Sequence, residues 1–297
     1  MSSFAEFNQA LTSAAAEFGI RISDQELHLF SLHYSLLLTH RTHRLTTITD
    51  PAHAAIKHFL DSLTALLLRE IQPGERVADI GSGAGFPGLV LAVARPHASY
   101  TLVESSLKRA AFLREAAAYL GLTNVEVIAD RAETLGRSPV PLVSSCLSGS
   151  AVPPSPAEGG PNPRNLRNLR FLPSGRCAVP LVSSCLSGSA VRPSPTHRES
   201  YDLVIARALA PLPVLLEYCL PLVRLGGDCL ALKGPGGEAE LARSHHALTT
   251  LGGQLTATRN LSLPSGMGDR FLVVVRKVSP TPARYPRRPG VAAKRPL

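Results

Sequence analysis

The sequence predicts an α/β fold: a mostly parallel open sheet with helices on both faces and a helical cap before it. Three observations carry this. The first 70 residues show helical spacing of apolar positions without strand signals. From residue 75 onward short β-rich runs alternate with helical stretches, which is the pattern of a parallel sheet. A Gly-rich turn, Gly81 to Gly88, joins the first of those runs to the next helix.

In the cap, Ser3 and Glu6 have capping-box spacing, and Phe4, Phe7, Leu11 and Phe18 follow at near-helical intervals. Gly19 is expected to end that helix. Ser23 with Glu26 repeats the capping box and opens a helix to about Leu38. Asp50 followed by Pro51 reads as an N-cap with proline at the first helical position, opening a helix to about Arg69. Strands are expected at Arg76–Ile80, Tyr100–Val103, Val125–Ile128, Leu203–Ile205 and Asp228–Leu232, then near Gln254–Asn260 and Arg270–Lys277. Helices are expected near Pro87–Ala94, Leu107–Leu120, Pro211–Leu222 and Glu238–Leu251.

The series is interrupted. Residues 140–156 read VPLVSSCLSGSAVPPSP, and residues 179–195 repeat them with a single change. Two Pro/Ser-rich copies cannot stack a solenoid core, so residues 137–200 read as a disordered insertion of duplicated sequence. Its arginines leave a second reading, an RNA-tethering arm. The expected organisation is a cap over 1–70, a sheet domain split into 71–136 and 201–278, the insertion over 137–200, and a basic tail over 279–297.

The 297 residues carry a net charge of +9, which points to a polyanionic partner such as nucleic acid. That charge is concentrated. Residues 276–297 contain seven Lys/Arg and no acid, and the insertion adds a net +5, leaving the rest mildly acidic. The tail, with Tyr285 among its cations, is a candidate binder of RNA backbone. Arg41 and Arg44, with His40 and His43, form a second basic edge whose spacing matches no zinc motif, so no metal is expected. Five cysteines without a C-x-x-C pair suit a reducing compartment. The N-terminus has no basic and apolar leader pattern, and the longest apolar runs are too short to span a bilayer. A cytoplasmic protein without a membrane partner is therefore expected.

The chemistry centres on Val77-Ala-Asp79-Ile-Gly81-Ser-Gly83-Ala-Gly85-Phe86-Pro87-Gly88. Glycines there let the chain turn tightly and let a ligand approach the backbone. Two cofactor classes compete. Gly83-x-Gly85-x-x-Gly88 formally matches a dinucleotide fingerprint, which would make the chain a nicotinamide-dependent oxidoreductase. Against this, Pro87 removes an amide near the helix start, and Asp79 puts a negative charge close to the would-be phosphate site. The D-x-G-x-G-x-G form is similar to motif I of class I S-adenosylmethionine methyltransferases, whose cofactor is cationic and phosphate-free. Glu104 ends the second strand 19 residues after Gly85, where an acid accepts ribose hydroxyls in either class.

The combined motifs are more specific. His58-Phe-Leu-Asp61-Ser62, the Asp79–Gly88 turn, Glu104-Ser105-x-x-Lys108-Arg109-x-x-Phe112-Leu113, Arg131-Ala132-Glu133, Ala206-Arg207-Ala208 and Leu232-Lys233-Gly234 together resemble the ribosomal RNA small subunit methyltransferase G family, also called GidB. The resemblance extends over about residues 30–136 and 200–297, tail included. The chain departs from the pattern at Arg44-Leu45-Thr46, where Asn-Leu-Thr is usual, and in carrying the insertion.

The resemblance implies a Rossmann-like class I methyltransferase sheet and methylation of guanine N7 in 16S, small-subunit rRNA with S-adenosyl-L-methionine. The chain would then act on small-subunit rRNA or a ribosomal subunit, and a monomer is expected. Carried over by position, Gly81, Phe86, Glu104, Ser105, Ser106, Ala132, Glu133 and Arg207 contact the cofactor, with Asp79 and Gly83 beside them. Guanine N7 is an exposed lone pair, so alignment suffices and no catalytic base is required. Arg207 and Lys233, after the fourth and fifth strands, are candidates for the guanine O6/N7 edge. A non-catalytic ribosome- or RNA-binding relative is the remaining alternative.

Overall fold

A computed structural model describes residues 2–40, 45–137 and 197–297. The expectations for Arg41, His43 and Arg44, and for the body of the insertion, lie outside the described residues. The chain divides into two units, residues 1–139 with 195–297, and residues 140–194. The elements described below belong to the first.

The cap opens with α1 (Ser2–Glu17) and α2 (Asp24–Thr39). Ser3 lies inside α1 and cannot cap it. The Ser23–Glu26 box does form: Ser23 Oγ accepts the Glu26 N–H and the Glu26 carboxylate accepts the Ser23 N–H. Gly19, at φ 69°, ends α1 as a Schellman turn, in which Ile20 N–H donates to Ala15 O and Gly19 N–H to Ala16 O. The third helical segment, α3, spans residues 51–67 but is not one regular helix. It passes from α-helical Pro51–Ala54 through a π-helical stretch, Ala55–Leu60, to α-helical Asp61–Leu63 and a 3-10 turn, Thr64–Leu67. The wide stretch carries Lys57 and His58, and both of their carbonyls accept from Arg207.

The sheet elements follow in order: β1 (Arg76–Ile80), α4 (Gly88–Ala94), β2 (Ser99–Val103), α5 (Leu107–Tyr119), β3 (Val125–Ile128), α6 (Ala132–Leu135) and β4 (Tyr201–Arg207). Then come α7 (Leu212–Cys219), β5 (Val223–Lys233), α8 (Gly237–Ala242), α9 (His245–Leu251), β6 (Gly253–Ser262), β7 (Asp269–Lys277) and α10 (Val291–Lys294). The single helix expected over 238–251 is two helices, because Ser244 turns its hydroxyl back onto Glu240 O at 2.7 Å and the chain restarts there.

Seven strands pair in the order β3-β2-β1-β4-β5-β7-β6. The first five are parallel, and β7 is antiparallel to both of its neighbours. This is a doubly wound, Rossmann-like sheet with an antiparallel hairpin at one edge. Side chains alternate between two cores. Leu203 and Ile205 of β4 face the cap side, with Phe59, Leu89 and Phe112, while Val204 and Ala206 face Leu215, Leu216 and Tyr285. Strand order reverses between β1 and β4, and at that switch point the strands' carboxyl ends leave a crevice. No helix among the described residues is long and apolar enough to cross a membrane.

Candidate functional site

A crevice of about 400 Å³ opens at this edge. Gly81 and Ser105 line it from the ends of β1 and β2, and Asp130 to Glu133 line it after β3. Leu209 to Pro211 and Tyr218 close one side, and Ala293 of α10 closes another. Gly81 sits at φ 76°, the left-handed region that favours glycine, and a Cβ there would displace the exposed Leu209 side chain, 2.6 Å away.

The turn behind the crevice is closed by its own hydrogen bonds. Gly81 and Ser82 donate to Val103 O, Gly85 and Phe86 to Ser82 O, and Leu89 to Gly85 O. Gly83 donates to Glu104 Oε2 at 3.0 Å and Gly88 to Asp79 Oδ2 at 2.9 Å. Pro87 has no amide to give. The start of α4 therefore has its first donors spent inside the protein, and a pyrophosphate would find few N–H groups to receive it.

Carboxylates gather here instead. Glu104, almost fully buried, bridges the Gly83 and Ser106 amides, the latter at 2.8 Å. A carboxylate offers about four acceptor sites, so two remain for a ribose diol. Asp79 is buried, and its Oδ1 has no hydrogen-bond partner among the described residues. Burial pushes its pKa up to about 6, against the Ser82 and Gly88 hydrogen bonds and the Arg207 charge that favour ionisation. Glu133 Oε1 accepts the Gly290 N–H at 3.1 Å. An orphaned acid, a ribose-type acid and the lining acids Asp130 and Glu133 outnumber the lining cation Arg131, an acid-rich surface suited to a cationic ligand without phosphate.

The expected site residues separate into three groups. Gly81, Ser105, Ala132 and Glu133 line the crevice. Asp79, Gly83, Glu104 and Ser106 form the hydrogen-bonded layer behind it. The side chains of Phe86 and Arg207 turn away, into the cap. The Phe86 ring stacks between His33, centroids 4.9 Å apart, and His58, at 4.7 Å. Both imidazoles are held neutral by burial, with pKa lowered to about 4. The Arg207 guanidinium lies 5.2 Å over the same ring, and its Nη1 donates to Asp61 Oδ2 at 3.1 Å. Arg270 reaches the other oxygen of Asp61 at 2.8 Å. Two guanidinium groups thus share one carboxylate, leaving a net positive charge beside the cap.

Lys233, expected as a candidate guanine contact, is engaged within the protein. Its ammonium donates to Ala210 O at 2.6 Å and pairs with Glu240 at 2.9 Å, so it secures the β4–α7 loop. The basic tail is not a free arm. It is folded onto the sheet: Tyr285 is buried, Arg287 forms a bidentate pair with the buried Glu217, and Lys277 is wholly enclosed near Glu199. Of its seven cations Arg276, Arg284, Arg288, Lys294 and Arg295 lie exposed, and Arg276 is paired with Asp228. The reason is that the buried acids Glu217 and Asp228 recruit Arg287 and Arg276, which a charge count cannot reveal. Sequence reasoning missed Asp61 as the partner of Arg207, along with Tyr218 and Ala293 as crevice walls. The His58–Ser62 motif did contain Asp61; nothing local marked the other two.

The profile of the family described as rRNA small subunit methyltransferase G, GidB, matches residues 26–145 and 186–266. The ribosomal RNA small subunit methyltransferase G of Pelotomaculum thermopropionicum is 39% identical, covering 97% of this chain and 98% of its own length. The proteins of the same name from Moorella thermoacetica and Bacillus subtilis are 35% and 34% identical, covering 98% and 97% of this chain and 98% of their own lengths. Among solved structures, M. jannaschii TYW2 in complex with AdoMet aligns with a TM-score of 0.43 at 12% identity, over 73% of this chain and 72% of that one. With the match to the family profile and relatives of this name over nearly its whole length, the chain belongs to the ribosomal RNA small subunit methyltransferase G family, a family of methyltransferases, and the oxidoreductase alternative falls.

Proposed function

We propose that this chain transfers a methyl group from S-adenosyl-L-methionine to N7 of a guanine in small-subunit rRNA. One observation carries the choice of cofactor: the amides of the Gly-rich turn and of the α4 start are spent internally while acids gather around the crevice. Gly81, Ser105, Ala132 and Glu133 would hold the cofactor, with Glu104 on its ribose. When bound, the cofactor supplies an electrophilic methyl on a sulfonium.

The chain's own residues then bind and align. N7 attacks as a lone pair, so no group needs to take a proton before transfer. The nearby imidazoles of His33 and His58 suit that reading, being buried and neutral rather than poised near neutrality. Arg207, turned into the cap with Nη1 on Asp61 and the Lys57 carbonyl, orders the cap beside the crevice.

Two measurements test this. Titration calorimetry should show binding of S-adenosylhomocysteine and none of NAD; the reverse result sinks the cofactor reading. Nucleoside mass spectrometry of small-subunit rRNA, with and without the chain in the cell, should show one 7-methylguanosine that depends on it. Cofactor binding without that methyl group would instead favour the non-catalytic relative.

A further inference from the structure

The acid-rich crevice suits a cationic cofactor, but the same charge repels a phosphate chain brought to its mouth. An RNA substrate therefore needs cations outside the crevice, close to the path of its backbone. Salt largely screens exposed charges beyond about 8 Å, so cations elsewhere on the molecule cannot stand in for them. Three segments place exposed cations at this edge. Lys108 and Arg109 stand in the first turn of α5, after the carboxyl end of β2. Arg131 follows β3 and borders the crevice. The tail supplies Arg288, Lys294 and Arg295, held there by the Gly290 bond to Glu133 and by Ala293 in the lining. Among the described residues only Arg109 of these six has a carboxylate within 4 Å, Glu104 at 3.9 Å. The tail backbone is fixed by the Arg287 guanidinium and N–H on the fully buried Glu217. A segment ordered in advance loses less freedom on binding than a free arm.

We propose that these six cations form a phosphate-binding rim, over which the backbone of the substrate RNA crosses the mouth of the crevice. This rests on the rRNA methyltransferase reading above and adds to it where the RNA lies. Two ligands of opposite charge are thereby kept apart: acids inside the crevice face the cofactor, and cations outside it face the RNA. The rim reads no sequence, because phosphate contacts set position and register while base contacts set specificity.

Two double variants with equal loss of charge test the rim. Lys294→Ser with Arg295→Ser strips its tail part. Arg76→Ser with Arg224→Ser removes exposed cations near the starts of β1 and β5, at the opposite edge of the sheet. The readout is filter binding of a small-subunit rRNA transcript at about 50 to 300 mM KCl. Calorimetry with S-adenosylhomocysteine and the melting temperature are measured beside it. Each phosphate contact on a single strand contributes about 0.7 to the slope of log affinity against log salt. The tail variant should lose about 1.4 of that slope and bind at least about fivefold more weakly near 150 mM. Its S-adenosylhomocysteine affinity should stay within about twofold and its Tm within about 3 °C. The Arg76/Arg224 variant should keep the wild-type slope. An unchanged slope in the folded tail variant overturns the rim. So does an equal loss in both variants, which would mean attraction by net charge alone. Should the tail variant fail to fold, Lys108→Ser with Arg109→Ser is read in the same way. A wild-type chain that binds S-adenosylhomocysteine but no RNA would strike the rRNA reading itself, which keeps the two failures apart.

Discussion

The Gly-rich turn of residues 79–88 and the tail of residues 285–295 border the same crevice, yet they are built in opposite ways. The turn closes on itself and on the adjacent strand: Gly88 bonds Asp79 nine positions away, and Gly83 bonds Glu104 across 21. The tail closes only across the whole domain, with Arg287 reaching Glu217 over 70 positions and Gly290 reaching Glu133 over 157. Local closure leaves a signature of residue types at fixed spacing. Remote closure leaves only a list of arginines, which looks the same whether each is free in solution or half of a buried pair.

The difference explains what was readable. The sheet and its crossovers were legible because strand and helix periods are local, and β3 is observed at Val125–Ile128 as expected. The Asp79–Glu104 layer was legible for the same reason. The cap's irregular α3 was not, since its π-helical stretch is set by packing against Phe86 and by the Arg207 bonds to Lys57 and His58 carbonyls. Nor could the sequence show that Arg207 faces Asp61 rather than open solvent, or that Lys233 is committed to Glu240.

The contrast is broken most directly at its strongest remote contact. Arg287→Ala leaves the buried Glu217 carboxylate without its cation, and losing one partner of such a pair costs about 3–5 kcal/mol. Urea denaturation at constant m-value measures it. A cost near zero would mean that the tail is a solvated arm after all.

On the turn side the corresponding test is Asp79→Asn, and its sign depends on pH. Burial raises the Asp79 pKa from 3.8 to about 6, so the folded state holds the proton more tightly than the unfolded chain. The stabilising effect of that proton is complete below about pH 4 and is lost as pH rises through 6. Asparagine keeps an oxygen for the Gly88 N–H but carries no charge to bury. The variant should therefore be more stable than wild type at pH 8, by up to about 3 kcal/mol, with the gain fading toward pH 4. Its affinity for S-adenosyl-L-methionine should fall, since the orphaned acid is what a cationic ligand would use. Thermal melts across pH 4–8 check the first half; a variant less stable than wild type at pH 8 contradicts it.

The smallest effect is expected where the sheet domain is interrupted, and it sharpens the comparison by asking where remote closure begins. Arg198 Nη1 donates to Gly136 O at 2.8 Å and also to Tyr285 O, so one side chain ties both flanks of the inserted sequence to the tail. Glu199 accepts the Thr281 N–H and faces Lys277, whose pKa burial lowers to about 8. Arg198 and Glu199 thus belong with the tail contacts, although by composition they fall within the insertion. The family profile likewise passes over residues 146–185. Replacing residues 139–196 with a short Gly/Ser linker keeps every one of those contacts and shortens the connection severalfold. Loop-closure entropy then predicts a stabilisation of at most about 2 kcal/mol. S-Adenosylhomocysteine affinity should stay within about twofold. A cut carried through Glu199 removes the guanidinium that joins Gly136 to the tail and strips Lys277 of its acid. If the shorter and the longer deletions behave alike in urea and in cofactor binding, Arg198 and Glu199 are not the clamp that their geometry indicates.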